Sequence, residues 1–487
     1  MKNPTTWFLC GTVCLLLFSC ETDEYKYSNY EYLAYSDEYY ANTEKYTDYG
    51  ENPFVKVSDQ PVSTFAVDAD GGSYTNMRRY LYLGSNPPVG SVRIEEYINY
   101  FTFDYKEPES GENVSLESEI SVCPWNEEHH LIRLGMKGRT IPLEKLPCSN
   151  YVFLIDVSGS MESPNKLDVL KKGFKTLADN LRDQDRIAIV IYAGKTKVLL
   201  NSTYGDERSD IKKAIDKLEA GGSTAGGEGI QKAYEIAEDN FIVGGNNRII
   251  LGTDGDFNVG ISSTEELVEL IEEKRESGIY LTVLGVGEGN LNDAMMEQVA
   301  NKGNGNYEYI DNASQIAKVF TNEIQKFYTV AKDAKLQVTF DSLNVDSYRL
   351  IGYENRSLDS SDFNNDTVDA GEIGSSQTIT ALYEVVLKEN RQSNNYAHFE
   401  FRYKKPDEEN SRLLIHDVNN APHSVDASSE NMQFAAAVTS FGLLMKESAY
   451  KGKANKKLVL YLARNAYSFD PFGYREEFIN MVQDWSE

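Results

Sequence analysis

The sequence has little histidine and little cysteine, with five residues of each kind among 487. No cysteines have the spacing of a zinc site, and neither His-Glu-x-x-His nor Gly-x-Ser-x-Gly occurs. A phosphate-binding P-loop is also absent. Beyond the extreme N-terminus, no apolar run reaches the length of about 18 residues that a membrane-spanning helix needs. The sequence therefore lacks the common signals of zinc enzymes, nucleotide hydrolases and multi-span membrane proteins.

Positive charge is also scarce. Lys and Arg number 48 against 76 Asp and Glu, so the formal net charge is −28. Non-specific nucleic-acid binding needs a basic surface, so we expect no nucleic-acid partner. Apolar residues make up 41% and charged residues 25% of the chain, which is typical of a folded protein. The length predicts roughly two to four domains.

A secretion signal is predicted at residues 1–19. Lys2 precedes an apolar stretch at 7–18, which ends at Ser19-Cys20. The segment Leu-Leu-Phe-Ser-Cys at 16–20 resembles a bacterial lipobox, although phenylalanine is a less usual occupant of its third position. The resemblance implies cleavage before Cys20 and lipidation of its thiol, which would anchor the protein to a membrane. An ordinary signal peptide or an uncleaved anchor is the alternative.

The residues after the signal predict where the protein is displayed. Glu-Thr-Asp-Glu at 21–24 resembles the surface-export signal of lipoproteins in bacteria of the Bacteroides type. We therefore expect an outer-membrane protein that faces the cell surface rather than the periplasm. Residues 20–60 are acidic, rich in tyrosine and poor in aliphatic side chains, which predicts a flexible tether.

Two cysteines remain in the body of the chain, Cys123 and Cys148. In an oxidising compartment they could form a disulfide. The bond would close a loop of about 25 residues and stabilise the fold by roughly 3 kcal/mol on the entropic account. The sequence does not show whether the two residues come close enough, so their pairing stays open.

Changes in pattern divide the rest of the chain into four parts. Residues 61–149 form an N-terminal flank of helices and strands. Strands then alternate with amphipathic helices over 150–332, which predicts an α/β unit with a doubly wound, mostly parallel sheet. Period-two alternation over 333–425 predicts antiparallel strands, and residues 426–487 are predicted to be helical. We expect strands at 117–136 to pair with the later ones, so that the α/β unit is inserted in a β-sandwich-like domain.

Polar side chains follow three segments of the predicted α/β unit. Asp156, Ser158 and Ser160 alternate on the loop after its first strand, Thr224 lies in a Gly-rich loop, and Asp254 follows another strand. Ligands of open parallel sheets bind beyond the carboxyl ends of the strands, so we expect these five side chains to converge. Two carboxylates and three hydroxyls are hard oxygen ligands. They predict a divalent cation, Mg²⁺ first and Ca²⁺ or Mn²⁺ next, rather than Zn²⁺ or Cu²⁺.

This arrangement resembles the metal-ion-dependent adhesion site of von Willebrand factor type A domains, over about residues 150–332. Asp-x-Ser-x-Ser at 156–160, Thr224, and Thr-Asp-Gly at 253–255 occur in the order of that family. The wider chain, over about 60–487, is similar to the bacterial YfbK-like group. The stretches that carry this second resemblance are 93–101, 253–260 and 348–356.

The resemblance implies a binding function. Ser158, Ser160 and Thr224 would contact the ion, with Asp156 and Asp254 acting largely through waters. Few anionic ligands would leave the ion electrophilic, so a carboxylate of a protein partner could fill its open position. We therefore expect a lipid-anchored binding protein without enzymatic activity.

Two other functions use the same site. The first is a metal-dependent hydrolase with Asp254 or Asp256 as base. The second is a periplasmic envelope-assembly factor. The resemblance also implies that the last helix of the α/β unit, expected at 313–332, shifts when the site changes state.

Overall fold

The computed structural model describes residues 43–222, 227–255 and 264–487. The predicted signal peptide, Cys20 and the first part of the predicted tether lie outside these residues. Among the described residues, no helix combines the length and the apolarity that crossing a bilayer requires.

The described elements are numbered in chain order. The strands are β1 (Val55–Lys56), β2 (Val62–Ala66), β3 (Val114–Val122), β4 (His130–Gly138), β5 (Ser149–Asp156), β6 (Arg186–Tyr192), β7 (Thr196–Tyr204), β8 (Asn246–Thr253), β9 (Tyr280–Val286), β10 (Tyr307–Ile310), β11 (Thr329–Phe340), β12 (Val345–Ile351), β13 (Gly371–Gly374), β14 (Thr378–Leu387), β15 (Ala397–Lys404) and β16 (Arg412–Val418). The helices are α1 (Gly72–Tyr82), α2 (Ile94–Asn99), α3 (Leu167–Asn180), α4 (Arg208–Asp216), α5 (Gly227–Asp239), α6 (Thr264–Arg275), α7 (Asp293–Lys302), α8 (Ala313–Ala317), α9 (Glu430–Met445), α10 (Lys456–Arg464) and α11 (Tyr474–Asp484).

The α/β unit contains a six-stranded sheet in the order β10-β9-β8-β5-β6-β7. Its strands are parallel except for the antiparallel pair β6–β7. Every residue of β5 is buried, because helices cover both faces. Phe153 stacks on Phe174 of α3 with ring centroids 4.1 Å apart, whereas Val152 and Leu154 join the core formed with α5, α6 and α7. The predicted doubly wound sheet is confirmed.

Two antiparallel sheets form a sandwich around the insertion point of the α/β unit. One has the order β1-β12-β14-β4-β3, and the other has the order β13-β11-β15-β16, with β2 paired to β11. Ile132 of β4 and Leu336 of β11 share the core between the sheets. Strands β3 and β4 precede the α/β unit and β11 to β16 follow it, so the expected insertion is also confirmed.

Helices cover the outer face of the sheet that contains β4. Leu131 points into the core with α1, α2 and α9 to α11, while its neighbour Ile132 points into the sandwich. Phe434 of α9 packs edge-on against Phe101, with ring centroids 4.9 Å apart. The C-terminal helices and the N-terminal flank therefore share one core, although they are far apart in sequence.

The prediction of a tether over 20–60 is wrong for residues 43–60, which belong to the folded body. The Thr43 amide donates to the Gly289 carbonyl at 2.7 Å, and the Lys45 amide donates to the Leu291 carbonyl at 2.8 Å. Strand β1 further on pairs with β12. Backbone hydrogen bonds hold this segment in the fold. The lack of aliphatic side chains suggested a tether because backbone bonds of this kind leave no pattern in the sequence.

The expected helix at 313–332 is shorter than predicted. Helix α8 (Ala313–Ala317) continues as a π-helical turn (Lys318–Asn322) and a 3₁₀ turn (Ile324–Phe327), and β11 begins at Thr329. The end of the α/β unit is therefore an irregular segment that leads directly into the sandwich.

A buried lysine holds this irregular segment in place. The Lys318 ammonium lies 4.4 Å from the ring centroid of Tyr100 and 4.3 Å from that of Tyr474, within cation–π distance of both. It also donates to Glu323 at 2.7 Å. Burial lowers the pKa of Lys318 to about 8, although Glu323 opposes the shift.

Cys123 and Cys148 are free thiols, so the disulfide that could have formed is not present. Cys123 is buried in the core under the C-terminal helices, beside Trp125. Cys148 precedes β5, and its carbonyl accepts the Asn246 amide at 2.9 Å. The two residues belong to different layers of the fold.

Arg78 of α1 connects three parts of the chain. Its guanidinium donates two hydrogen bonds to Asp311 after β10, at 2.6 and 2.7 Å, and one to Glu477 of α11 at 3.1 Å. A further bond of 3.0 Å reaches the Tyr100 hydroxyl. The Arg78 side chain is fully buried, and those of Asp311 and Glu477 are 3% and 9% exposed. A buried ion pair of this kind is costly to break from one side.

Replacing Arg78→Met should lower the free energy of unfolding by about 3–5 kcal/mol, because two buried carboxylates lose their partner. Urea denaturation would measure the change. The matched control is Arg412→Met, which breaks a partly exposed pair with Glu408 and should have a much smaller effect, because solvent screens that pair. Equal effects of the two substitutions would contradict the expectation that the buried ion pairs of Arg78 stabilise the fold more than an exposed pair does.

Candidate metal-binding site

The candidate site lies where the strand order of the parallel sheet reverses. Strand β5 has β6 on one side and β8 on the other, an arrangement that opens a crevice beyond the carboxyl ends of the strands. Ile155 and Gly252 are paired across β5 and β8. Asp156 and Asp254, close after this pair, therefore lie at the same edge of the sheet, and both are fully buried.

Hydrogen bonds shape the loop after β5. The Ser158 amide donates to Asp156 Oδ1 at 2.8 Å, and the Thr253 hydroxyl donates to Asp156 Oδ2 at 3.3 Å. The hydroxyls of Ser158 and Ser160 are 3.0 Å apart, and Ser160 is close enough to Asp254 to help lower the pKa of its carboxyl group. The structure thus brings together four of the five predicted ligands.

The fifth predicted ligand, Thr224, lies outside the described residues, but the loop that leads to it is described. The Gly159 amide donates to the Gly222 carbonyl at 3.0 Å, and the Gly221 amide donates to the Val157 carbonyl at 2.8 Å. The Gly-rich loop therefore begins in direct contact with the loop that carries the two serines.

Asp254 has two partners that the sequence did not indicate. Lys166, at the start of α3, donates from Nζ to Asp254 Oδ2 at 2.9 Å, and Asn290 donates to the same oxygen at 3.0 Å. Lys166 also donates to the Asn290 side-chain oxygen at 2.8 Å. The three side chains form a closed triangle behind the candidate site.

Gly287 provides the space for this lysine. Its φ is +79°, and a Cβ atom at this position would come within 2.4 Å of the Lys166 side chain. Residue 287 must therefore be glycine for both its backbone conformation and the close approach of Lys166. In the sequence, Lys166 is one of many charged residues beside a helix, and no local pattern marks it.

The two carboxyl groups differ in their electrostatic surroundings. Burial raises the pKa of Asp156 to about 6, and the nearby Asp254 adds to the shift. The pKa of Asp254 is lowered instead, because the Lys166 charge and the hydrogen bonds from Asn290, Lys166 and Ser160 outweigh its burial. Asp254 stays ionised at neutral pH.

The donor set fits a hard divalent cation. Ser158, Ser160, Asp156 and Asp254 offer only oxygen atoms, which suit Mg²⁺, Ca²⁺ or Mn²⁺. The two serine hydroxyls face each other. Each carboxylate is oriented by a hydrogen bond from a neighbouring group, as metal ligands usually are. When bound, such an ion would attract an anionic group of a ligand.

Comparison with known proteins identifies the class of the α/β unit. The family profile "von Willebrand factor type A domain" matches residues 150–322, and the profile "von Willebrand factor" matches residues 40–133. A solved structure, von Willebrand factor type A from Catenulispora acidiphila, is 14% identical and has a TM-score of 0.43, covering 77% of this chain and 91% of that one. The profile match to residues 150–322 makes this chain a von Willebrand factor type A (VWA) domain protein, a class that commonly binds a divalent metal ion.

The flanking regions define the family more closely. The profile "Uncharacterized protein YfbK, C-terminal" matches residues 325–487. Uncharacterized protein YfbK of Escherichia coli K12 is 40% identical over 467 residues, covering 91% of this chain and 81% of that protein. The chain belongs to the YfbK family. A UPF0353 protein of Mycolicibacterium gilvum is 27% identical over 232 residues, covering 42% of this chain and 68% of that protein. None of these names describes an enzymatic activity.

Metal affinity should fall on acidification, because the Asp156 carboxyl must lose its proton before it faces a cation. With a pKa of about 6 in the metal-free protein, Mg²⁺ affinity should be constant above about pH 7 and fall about tenfold per pH unit below about pH 5. Calorimetric titration between pH 4.5 and 8 would measure it. An affinity that stays constant over this range would refute the expectation.

Replacing Lys166→Met should tighten Mg²⁺ binding by about tenfold or more, because a cation that competes with the ion for Asp254 is removed. In EDTA the same variant should be less stable, since a buried carboxylate has lost its partner. Calorimetry and thermal melting would measure the two effects. Lys171→Met is the matched control, because Lys171 of α3 bonds to the Asp216 and Leu218 carbonyls instead. Unchanged or weaker Mg²⁺ binding in Lys166→Met would show that Lys166 does not compete with the ion for Asp254.

Proposed function

We propose that this chain is a lipid-anchored protein of the cell envelope that binds a protein partner through a divalent cation. The ion, Mg²⁺ first and Ca²⁺ or Mn²⁺ next, would be held at a metal-ion-dependent adhesion site. Its ligands are Asp156, Ser158, Ser160, Thr224 and Asp254. The partner would contribute a carboxylate to the open position of the ion.

The main support for this proposal is the charge of the site. Asp156 and Asp254 together contribute two negative charges when ionised, and Lys166 neutralises one of them at 2.9 Å. A divalent ion would therefore leave the site with one net positive charge in a largely buried crevice. Uncompensated charge is unfavourable there, so the loaded site should favour an anionic ligand. The overall charge of −28 opposes this only weakly, because the Debye length is about 8 Å in physiological salt.

The hydrolase alternative has less support. A general base needs a pKa near the working pH and a free lone pair aimed at water. Asp254 has a lowered pKa, and one of its oxygens accepts bonds from both Lys166 and Asn290. Asp256, the other candidate base, lies outside the described residues. The arrangement therefore favours binding over turnover.

The location of the protein is a proposal from the sequence. The lipobox-like segment at 16–20 and the acidic residues 21–24 favour a lipid anchor at Cys20 and display on the cell surface. The periplasmic face, with a role in envelope assembly, is the alternative. Protease treatment of intact cells separates the two, because only a surface protein would be cleaved.

Partner capture should depend on the ion and on the ligands. The full-length protein, incubated with envelope extract, should retain a partner in Mg²⁺ and lose it in EDTA. Asp156→Ala and Ser160→Ala should lose it in Mg²⁺ as well, with a melting temperature of Ser160→Ala within about 2 °C of the wild type, because only one hydroxyl is removed. Pull-down with mass spectrometry would measure capture.

The matched control for this experiment is Asp210→Ala, which removes an exposed carboxylate of α4 that pairs with Lys213. It should retain the partner. Capture that persists in EDTA, or in Asp156→Ala, would refute the proposed function. Turnover of a substrate that Asp254→Ala abolishes would support the hydrolase instead.

A further inference from the structure

The region around helix α10 differs in charge from the rest of the protein. Residues 451–464 contain five Lys or Arg and no Asp or Glu, whereas the whole chain has 48 basic and 76 acidic residues. Helix α10 belongs to the C-terminal helices and lies outside the residues that match the VWA profile. A basic surface on a strongly acidic protein favours a partner of negative charge.

Helix α10 has one buried side and one exposed side. Val459, Leu462 and Ala463 are fully buried and belong to the core that α9 and α11 also form. On the other side, Leu460 is only partly buried and Tyr461 is 49% exposed. Two apolar side chains therefore remain accessible on a helix that already packs its buried side against its neighbours.

Four residues of the exposed side lie at helical spacing. Lys457, Leu460, Tyr461 and Arg464 occupy positions i, i+3, i+4 and i+7, so they share one face of the helix; we call them the α10 face. All four line a groove of about 670 Å³. The two cations are about 10 Å apart along the helix axis, with the apolar pair between them. The Tyr461 hydroxyl donates to Asp426 at 3.0 Å, which orients the ring.

The two cations of the α10 face are available to a partner. Within the described part of the chain, neither Lys457 nor Arg464 forms an ion pair, and Arg464 donates a hydrogen bond to the neutral Gln483 at 2.6 Å. Lys456 and Glu487 also line the groove, and Glu487 accepts the Lys456 amide at 2.6 Å. The residues that line the groove thus carry three positive charges and one negative charge.

We propose that the α10 face binds an acidic segment of a protein partner, in which two carboxylates flank an apolar side chain. A helix with acidic residues seven positions apart separates them by about 10 Å, which matches the two cations. Apolar residues between them would contact Leu460 and Tyr461, as in other complexes where a helix lies in a groove. The cations would also exclude basic partners.

The shape of the α10 face favours a protein segment over an anionic membrane. A narrow segment can enter the groove and reach Leu460, whereas a flat bilayer surface would meet mainly the outer charges. The overall charge of −28 disfavours acidic ligands elsewhere on the protein, but its effect is screened beyond about 8 Å in physiological salt. This binding does not depend on the candidate metal site.

The test uses the full chain in EDTA, so that the candidate metal site does not contribute. The probe is a fluorescein-labelled, alanine-rich helical peptide of about 18 residues, with Glu at positions i and i+7 and Leu at i+3 and i+4. Fluorescence anisotropy should give a Kd of roughly 10–100 μM at low salt. A peptide with Gln in place of both Glu residues should bind about tenfold more weakly or less tightly still. No binding of the Glu peptide at about 1 mM would overturn the proposal.

Charge reversal at the α10 face should abolish most of this binding. Lys457→Glu with Arg464→Glu should weaken binding of the Glu peptide by about tenfold or more, and the melting temperature should stay within about 3 °C of the wild type, because both side chains are exposed. The matched control, Lys213→Glu with Lys232→Glu, reverses two exposed lysines of α4 and α5 and should bind as the wild type does.

Equal losses of binding in the two double variants would overturn the proposal, because the overall charge and not the α10 face would then be responsible. Binding of the wild type to phosphatidylglycerol vesicles, together with no binding of the Glu peptide, would overturn it in favour of a membrane. Since metal is absent throughout, no result of this experiment bears on the proposed metal-dependent function.

Discussion

Buried charges that are neutralised by distant parts of the chain hold the layers of this protein together. Arg78 of the flank pairs with Asp311 of the VWA domain and with Glu477 of the last helix. Arg93 of the flank pairs with Asp293 at the start of α7 at 2.6 Å. A buried charge without a partner costs several kcal/mol, so no layer can bury its charges until the others are in place. The flank, the VWA domain and the C-terminal helices therefore form one interdependent structure.

The same constraint determines the character of the candidate metal site. Lys166 allows Asp254 to remain ionised in a buried crevice without a metal, and it also reduces the negative charge available to an ion. The site is thereby suited to an ion that keeps part of its charge for an external ligand. Asp156, whose pKa is raised to about 6 by burial, has no lysine partner of this kind among the described residues.

The sequence predicted those features of the fold and of the candidate site that depend on local sequence pattern. Alternating strands and helices indicated the doubly wound sheet, and the end of β5 placed Asp156 at its edge because parallel strands end together. Contacts between distant residues left no such pattern. Lys166 could not be paired with Asp254 from the sequence, the backbone bonds of residues 43–60 involve no characteristic side chains, and the helix expected at 313–332 is interrupted where buried aromatic rings hold a lysine.

The path of the first described residues has a mechanical consequence. Thr43 and Lys45 are hydrogen-bonded to Gly289 and Leu291, the two residues that flank Asn290, a direct partner of Asp254. Tension applied to the chain at Thr43 would reach these backbone bonds before it reached the sandwich or the C-terminal helices. The first structural unit to bear the load would thus be the loop behind the candidate metal site, so pulling on the chain and occupying the crevice would act on the same few residues.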